Sequence, residues 1–254
     1  MSHNGPFVFP DRASSEMHRA VSIFHRLGAP LVRSAADAAL PQDCLLCGAP
    51  AASSLICTDC NAQLPRLAAA LCPVCALPSP GSAVCGSCLK TPPHYDATVA
   101  AFAYDFPVDR VIKALKYGAE LAAIPFLGDA LADCPHIDAD LVVPLPLHPA
   151  RLCQRGFNQA LEIARRFAAR LDLPLAVAIC ERTHDSAPQA SLPWGERQRN
   201  VRGAFLCRVD LTGQRVVAVD DVMTTGATLN EFARTLKHAG AAHVTNLVAG
   251  RTLR

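Results

Sequence analysis

The run RVVAVDDVMTTGATL, from Arg215 to Leu229, narrows the possible folds more than any other part of this 254-residue chain. Val216 to Val219 read as a core strand, and GATLNEFARTLKHAG, closed by Gly240, reads as an amphipathic helix. Between them stand two adjacent aspartates and a polar turn of threonines around one glycine, which neither a surface loop nor a plain buried strand requires. In an open parallel sheet, ligands bind beyond the carboxyl ends of the strands, so Asp220 to Thr228 occupy the place where function is expected.

The chemistry of that turn is specific. Gly226 lets backbone amides face inward, and Thr224, Thr225 and Thr228 bring hydroxyls. The helix that begins beside Gly226 and Ala227 presents its positive end and unpaired amides to the same point. That is a cradle for a phosphate. Asp220 and Asp221 repel phosphate itself, but they accept vicinal hydroxyls and help order a hydrated magnesium ion. The ligand so described is a ribose 5-phosphate. A Walker-type loop is excluded by the missing Gly-Lys-Ser/Thr, and a dinucleotide fingerprint by the missing three-glycine spacing. A capped strand-to-helix turn without a ligand is the plain alternative.

The rest of the chain from Asp96 alternates in the same way. ATVAAFAYD reads as strand, VDRVIKALKYG and the segment after it as helix, DADLVVPLPL as a strand ending in prolines, FNQALEIARRFAARL as helix, LPLAVAI as strand and HVTNLVAG as strand. Strands separated by helices imply a parallel sheet with helices on both faces, an α/β domain spanning 93–254. After the strand at LVVPLPL, Arg151 and Arg155 precede Gly156 at the mouth of the next helix, where guanidinium groups and a helix amino terminus suit a pyrophosphate. The polar segment Glu181 to Gly203 is too long for a simple connector, and such segments tend to be lids or disordered.

Twelve cysteines are many for this length, and eight form four C-x-x-C pairs between Cys44 and Cys88. CLLCGAP(x6)CTDC is followed by CPVCALP(x6)CGSC, so every cysteine recurs 28 positions later. Zinc prefers four thiolates in a tetrahedron, and two C-x-x-C knuckles supply them, so the region predicts two structural zinc ions. Sequence order groups Cys44, Cys47, Cys57 and Cys60 at one site and Cys72, Cys75, Cys85 and Cys88 at the other. A crossed pairing stays open on spacing alone. A redox pair or an iron–sulfur cluster fits the spacing less well. Cys134, Cys153, Cys180 and Cys207 are scattered and read as small buried thiols.

A formal charge of +2 does not announce a nucleic-acid binder, so any basic surface must be local. No apolar run approaches the ~20 residues of a membrane span, and the first residues lack a signal core, so the expected location is the cytoplasm. Residues 1–40 form an N-terminal segment with helical spacing of Met17, Val21, Phe24 and Leu27, broken near Gly28 and Pro30. It reads as a packing helix.

VVAVDDVMTTGAT resembles the phosphoribosyl pyrophosphate (PRPP) signature of type I phosphoribosyltransferases. Together with KALKYG, the RGFNQ phrase at Arg155 to Gln159, and Gln189, Leu192, Arg197, Asn200, Ala204 and Phe205, it is similar to the ComF family of phosphoribosyltransferase-like proteins associated with DNA uptake and natural transformation. The resemblance spans about Pro41 to Arg251. It implies a double zinc ribbon over 41–92 ahead of a type I phosphoribosyltransferase-like domain. It assigns Asp220 and Asp221 to ribose and magnesium, Thr224 to Thr228 to the 5-phosphate, and Arg151, Arg155 and Gly156 to pyrophosphate. It also implies a mobile loop closing over PRPP, with Gln189, Arg197 and Asn200 as contacts, Arg199 and Arg202 as further charges, and Trp194 as a packing anchor.

Two classes of function follow. One is a magnesium-dependent phosphoribosyl transfer to an unnamed acceptor, with positioning and leaving-group stabilisation doing most of the catalysis and no dedicated acid or base. The other keeps the PRPP pocket without turnover, while the zinc ribbons engage single-stranded DNA or a protein of the uptake machinery.

Overall fold

The structure, a computed structural model, describes residues 42–253 apart from 53, 68–69, 136 and 184–200. The expected N-terminal helix, and Gln189, Leu192, Trp194, Arg197, Arg199 and Asn200 of the polar segment, lie outside the described residues.

The cysteine-rich part carries two short helices, α1 (Thr58–Ala62) and α2 (Gly86–Lys90), and a turn of 3-10 helix at Pro80–Ser82. Then follow β1 (Ala97–Ala103), α3 (Val108–Gly118), α4 (Ala123–Ala132), β2 (Leu141–Pro144), α5 (Pro149–Arg155) and α6 (Gln159–Leu171). A small pair, β3 (Cys180–Arg182) and β4 (Phe205–Cys207), precedes β5 (Arg215–Met223), α7 (Ala227–His238) and β6 (His243–Arg251). The main sheet runs β1-β6-β5-β2 with every neighbouring pair parallel. β3 and β4 pair antiparallel, Cys180 opposite Cys207.

Strand alternation sorts the core into two layers. Val217 and Val219 of β5, with Leu247 and Ala249 of β6, pack among Leu115, Leu127, Ile163 and Phe167 from α3, α4 and α6. Val216 and Ala218, with Val244 and Val248, pack on the other side among Leu229, Phe232 and Leu236 of α7 and Phe205 of β4. The helices are amphipathic in register with this: Val108, Val111, Ile112 and Leu115 recur at i, i+3, i+4 and i+7 of α3, and all four are fully buried. Asn158 caps α6 by accepting from the amides of Ala160 and Leu161.

Both open edges of the sheet are covered, which removes an aggregation-prone template. The Ala103 amide donates to the Pro65 carbonyl at 2.7 Å and the Thr98 amide to Pro73 at 3.2 Å, so the cysteine-rich part lies along β1. At the far edge Leu175 makes a single bridge to Val142. The strand expected at LPLAVAI is therefore corrected to one bridge: Val142 donates to Pro174 and accepts from Ala176, after which the chain turns away into β3. Pro174 has no amide to continue a ladder.

Candidate functional site

Asp220 and Asp221 lie inside β5 rather than beyond it, since the strand continues to Met223. Pleating sends the two neighbours to opposite faces. Asp221, buried, faces the α3 side, where Lys116 Nζ stands 2.9 Å from its Oδ2, with only 19% and 8% of the two side chains exposed. Burial works against the Lys116 charge, but the Asp221 carboxylate, with Asp220 beyond it, outweighs burial and lifts its pKa above the ordinary lysine value. Asp220 accepts from the Asp221 amide at 2.8 Å. Burial and the Asp221 charge push its carboxyl up to about 7, against the pull of Lys116, that amide and Arg182.

The turn follows directly. Gly226 is the N-cap of α7 with φ at +82°, and the Ala227 amide donates to Thr225 Oγ1 at 3.3 Å. The dihedral is what requires glycine here; a Cβ on Gly226 would also meet Met223 Cε at 2.6 Å, the flexible end of that side chain, and the Tyr95 hydroxyl at 3.3 Å. Residues 222–229 enclose a small concavity of about 60 Å3 at the amino end of α7.

A cleft of about 260 Å3 shares Asp220, Val222, Thr224 and Thr228 with that concavity. Arg151, Arg155, Asp220, Asp221, Thr224 and Thr228 all line it, so the structure brings the two arginines of α5 to the acid pair and the turn. Two details correct the sequence reading. The arginines sit on a short helix, Pro149–Arg155, not on an open loop. Gly156 is the C-cap of that helix at φ +80°, and Asn158, not Gly156, opens α6. Gly156 therefore shapes the chain reversal that aims α5 at the cleft.

Sequence reasoning missed Lys116, Arg182 and Tyr104, which also line the cleft. Lys116 was visible only as part of KALKYG, with nothing local to give it a partner. Arg182 is buried on β3 with its guanidinium 5.5 Å from the Phe205 ring centre, and nothing in a lone ERTH phrase predicts it. Arg155 stands 5.7 Å from the Tyr117 ring centre. The cleft thus gathers four cations around two carboxylates, a balance that suits a ligand with several negative charges. Arg202 is exposed.

The eight clustered cysteines form two tetrads in sequence order, Cys44, Cys47, Cys57, Cys60 and Cys72, Cys75, Cys85, Cys88, with all ligand atoms of a tetrad within 4.8 Å of one another. The order is direct, not crossed. A zinc ion with four thiolates at about 2.3 Å spaces the sulfurs about 3.8 Å apart. Cys47 and Cys57 Sγ are 3.8 Å apart and Cys75 and Cys85 Sγ 3.6 Å, so both tetrads fit the ion. Burial opposes ionisation of Cys44 and Cys72, but backbone amides donating to each sulfur bring both down to about 6, whereas burial and the neighbouring thiols raise Cys47, Cys60, Cys75 and Cys88, a crowding that a cation among the sulfurs would relieve. Of the other cysteines, Cys180 is buried, Cys134 and Cys207 are half-buried, and Cys153 is exposed, which corrects the expectation of a buried thiol there. Among the described residues no helix is long and apolar enough to cross a membrane.

Comparison with known proteins agrees with this architecture. The double zinc ribbon domain family matches residues 35–89, and the phosphoribosyl transferase domain family matches residues 157–249. A parallel sheet with flanking helices, an acid pair leading into a phosphate-type turn, and two cysteine tetrads together define a phosphoribosyltransferase-fold protein with a double zinc ribbon. The DNA utilization protein YhgH of Escherichia coli (strain K12) is 32% identical over 225 residues, 84% of this chain and 99% of the relative. Its counterpart in Salmonella typhi is 33% identical over 226 residues, with the same two coverages. Competence protein F of Haemophilus influenzae is 30% identical over 167 residues, 61% of this chain and 73% of the relative. The chain belongs to this family, that of competence protein F and DNA utilization protein YhgH, the ComF family.

Proposed function

We propose that the cleft binds PRPP with magnesium and transfers its phosphoribosyl group to an acceptor, in the service of DNA uptake or use. The observation that carries the reading is the meeting, in one cleft, of the α7 amino-terminal turn, the Asp220–Asp221 pair and the cations Lys116, Arg151, Arg155 and Arg182. The turn from Thr224 to Thr228 takes the 5-phosphate, the acid pair takes the ribose hydroxyls, and the arginines of α5 with Lys116 take the pyrophosphate. Asp220 and Asp221 offer the hard oxygen donors that magnesium selects. Bound there, the ion would offset the pyrophosphate charge. In the transfer, the bond from the anomeric carbon to the pyrophosphate oxygen breaks, the electron pair leaves with the pyrophosphate, and the acceptor forms the new bond. The protein's part is to fix the sugar by its phosphate and hydroxyls and to stabilise the departing charge. Gln189, Arg197 and Asn200, which lie outside the described residues, are in this reading further ligand contacts. The two zinc ions hold the fold of the ribbon and take no part in the bond-making, and the domains divide at about residues 40 and 92. The link to DNA uptake rests on the names of the relatives, a competence protein and DNA utilization proteins.

The deciding experiment is titration calorimetry of zinc-replete protein with PRPP and magnesium, beside a variant carrying Asp220→Ala and Asp221→Ala. Saturable binding lost in the variant supports the pocket. Acceptor-dependent pyrophosphate release then supports transfer, whereas tight binding without release assigns the domain as a PRPP-responsive adaptor. Absence of binding by folded wild type removes the reading.

A further inference from the structure

The last residue of β6, Arg251, is 3% exposed. Its guanidinium donates from Nε to the Cys75 carbonyl at 2.8 Å, and from Nη1 to the carbonyls of Met223 at 3.0 Å, of Thr224, and of Thr252 at 2.8 Å. Cys75 is a ligand of the second tetrad, and Met223 and Thr224 are the residues from which the phosphate-type turn springs. One buried side chain therefore holds a zinc knuckle and the base of the turn together. A second link runs parallel to it. Val74, inside the same knuckle, packs against the cluster that contains Tyr95 and Met223. Those are the two residues directly under Gly226.

We infer that the second zinc site is a working part of the phosphoribosyl site, with Arg251 as the positioning residue that couples the metal to the turn. The physical reason is charge as well as geometry. Arg251 is a buried cation, and the carbonyls that accept from it are neutral, a costly arrangement without a countercharge nearby. Cys75, whose carbonyl accepts from Arg251 Nε, is itself a member of the tetrad with Cys72, Cys85 and Cys88, so the tetrad stands beside this buried cation. Four thiolates holding one zinc ion would carry a net charge of about −2 and would supply that countercharge. Without the metal the knuckle loses both its shape and its charge, and Arg251 loses its hold on the carbonyls of Met223 and Thr224. The first tetrad sits elsewhere. Cys44, with Leu55 and Ile56 beside it, belongs to the opposite layer, against the side of the sheet carrying α3 and α4. The two ions of one repeat thus differ in role: the first holds a module in place, and the second sets the turn.

This inference rests on the reading of the turn as the phosphate site, and the test separates the two. Hydrogen exchange by mass spectrometry is followed over residues 223–228 and, as an internal reference, over 216–219, in full-length zinc-loaded protein. The variants are Cys88→Ser for the second site, Cys60→Ser for the first, and Arg251→Met and Arg251→Lys. PRPP affinity is measured alongside. Cys88→Ser and Arg251→Met are expected to speed exchange in 223–228 but not in 216–219, and to weaken PRPP about ten-fold or more. Arg251→Lys should recover part of both, and Cys60→Ser should change neither. Unchanged exchange at 223–228 in Arg251→Met, or an equal effect from Cys60→Ser, overturns the coupling. Should Cys88→Ser not fold, the Arg251 pair decides alone. If the exchange pattern holds while wild type binds no PRPP, the coupling stands and the ligand reading falls.

Discussion

Gly226 and Gly156 both adopt left-handed backbone, at φ +82° and +80°, yet they should respond differently to substitution. A Cβ at Gly226 meets Met223 and the Tyr95 hydroxyl, whereas a Cβ at Gly156 has nothing within 4 Å. Gly226→Ala is expected to cost about 1–2 kcal/mol from backbone strain alone, together with displacement of the turn, seen as a lower denaturant midpoint and weakened phosphate affinity. Gly156→Asn should cost less than about 1 kcal/mol, because asparagine tolerates the helix C-cap conformation, and should leave ligand affinity close to wild type. A large affinity loss in Gly156→Asn with stability intact would show that its backbone touches the ligand. Lys116 tests the acid pair from the other side. Removing one partner of a buried ion pair costs roughly 3–5 kcal/mol because the other charge is stranded, so Lys116→Met should be strongly destabilising. Lys116→Met with Asp221→Asn together should recover much of the loss in a denaturation cycle.

At the scale of elements, α4 and α6 lie close because Gly128 has no side chain: a Cβ there would fall 2.5 Å from Arg166 Cγ. Arg166 uses that approach to give two hydrogen bonds to Asp129, from Nε at 2.7 Å and Nη2 at 2.8 Å. The contact with Arg166, reinforced by Arg170, holds the Asp129 carboxyl below the usual carboxylate range. A depressed pKa stabilises the fold above the unfolded value, and the contribution is lost as pH falls through the folded value. Asp129→Asn should therefore destabilise at neutral pH by about 1 kcal/mol, the pair being partly exposed. The difference should shrink below about pH 4. Urea denaturation at pH 7 and pH 3 checks this; a pH-independent difference would mean packing, not charge, holds the helices. Elements whose determinants are local were legible. The sequence spacing marks Val108–Gly118 as a helix, and the structure places one over the same residues. LPLAVAI misled because alternation and branched residues describe a strand whether or not a partner edge is free, and here only one bridge to Val142 forms. The short helix Pro149–Arg155 was hidden behind its prolines, although Pro149 is well placed at the first helical position.

At the scale of the whole molecule, native mass spectrometry should find two zinc ions per chain. Removing them with a chelator should unfold the ribbon, since residues 42–90 bury few large apolar side chains and the metal supplies much of their folding energy. One ion per chain would break the symmetry that the repeat implies. What the sequence by itself determined is whatever a short stretch can encode. The strand-to-turn-to-helix unit at Val216 to His238 depends on residues adjacent in the chain, and the cysteine knuckles on a repeat that can be counted. The direct pairing of the tetrads, the opposite faces of Asp220 and Asp221, and the meeting of Lys116, Arg182 and the α5 arginines in one cleft were decided only by the tertiary structure. These depend on the strand order β1-β6-β5-β2, which is fixed by burying two apolar layers at once. Arg251 shows why no local reading can anticipate this: its partners lie on a zinc knuckle far upstream and on the neighbouring strand, and only burial makes those carbonyls the ones it must satisfy.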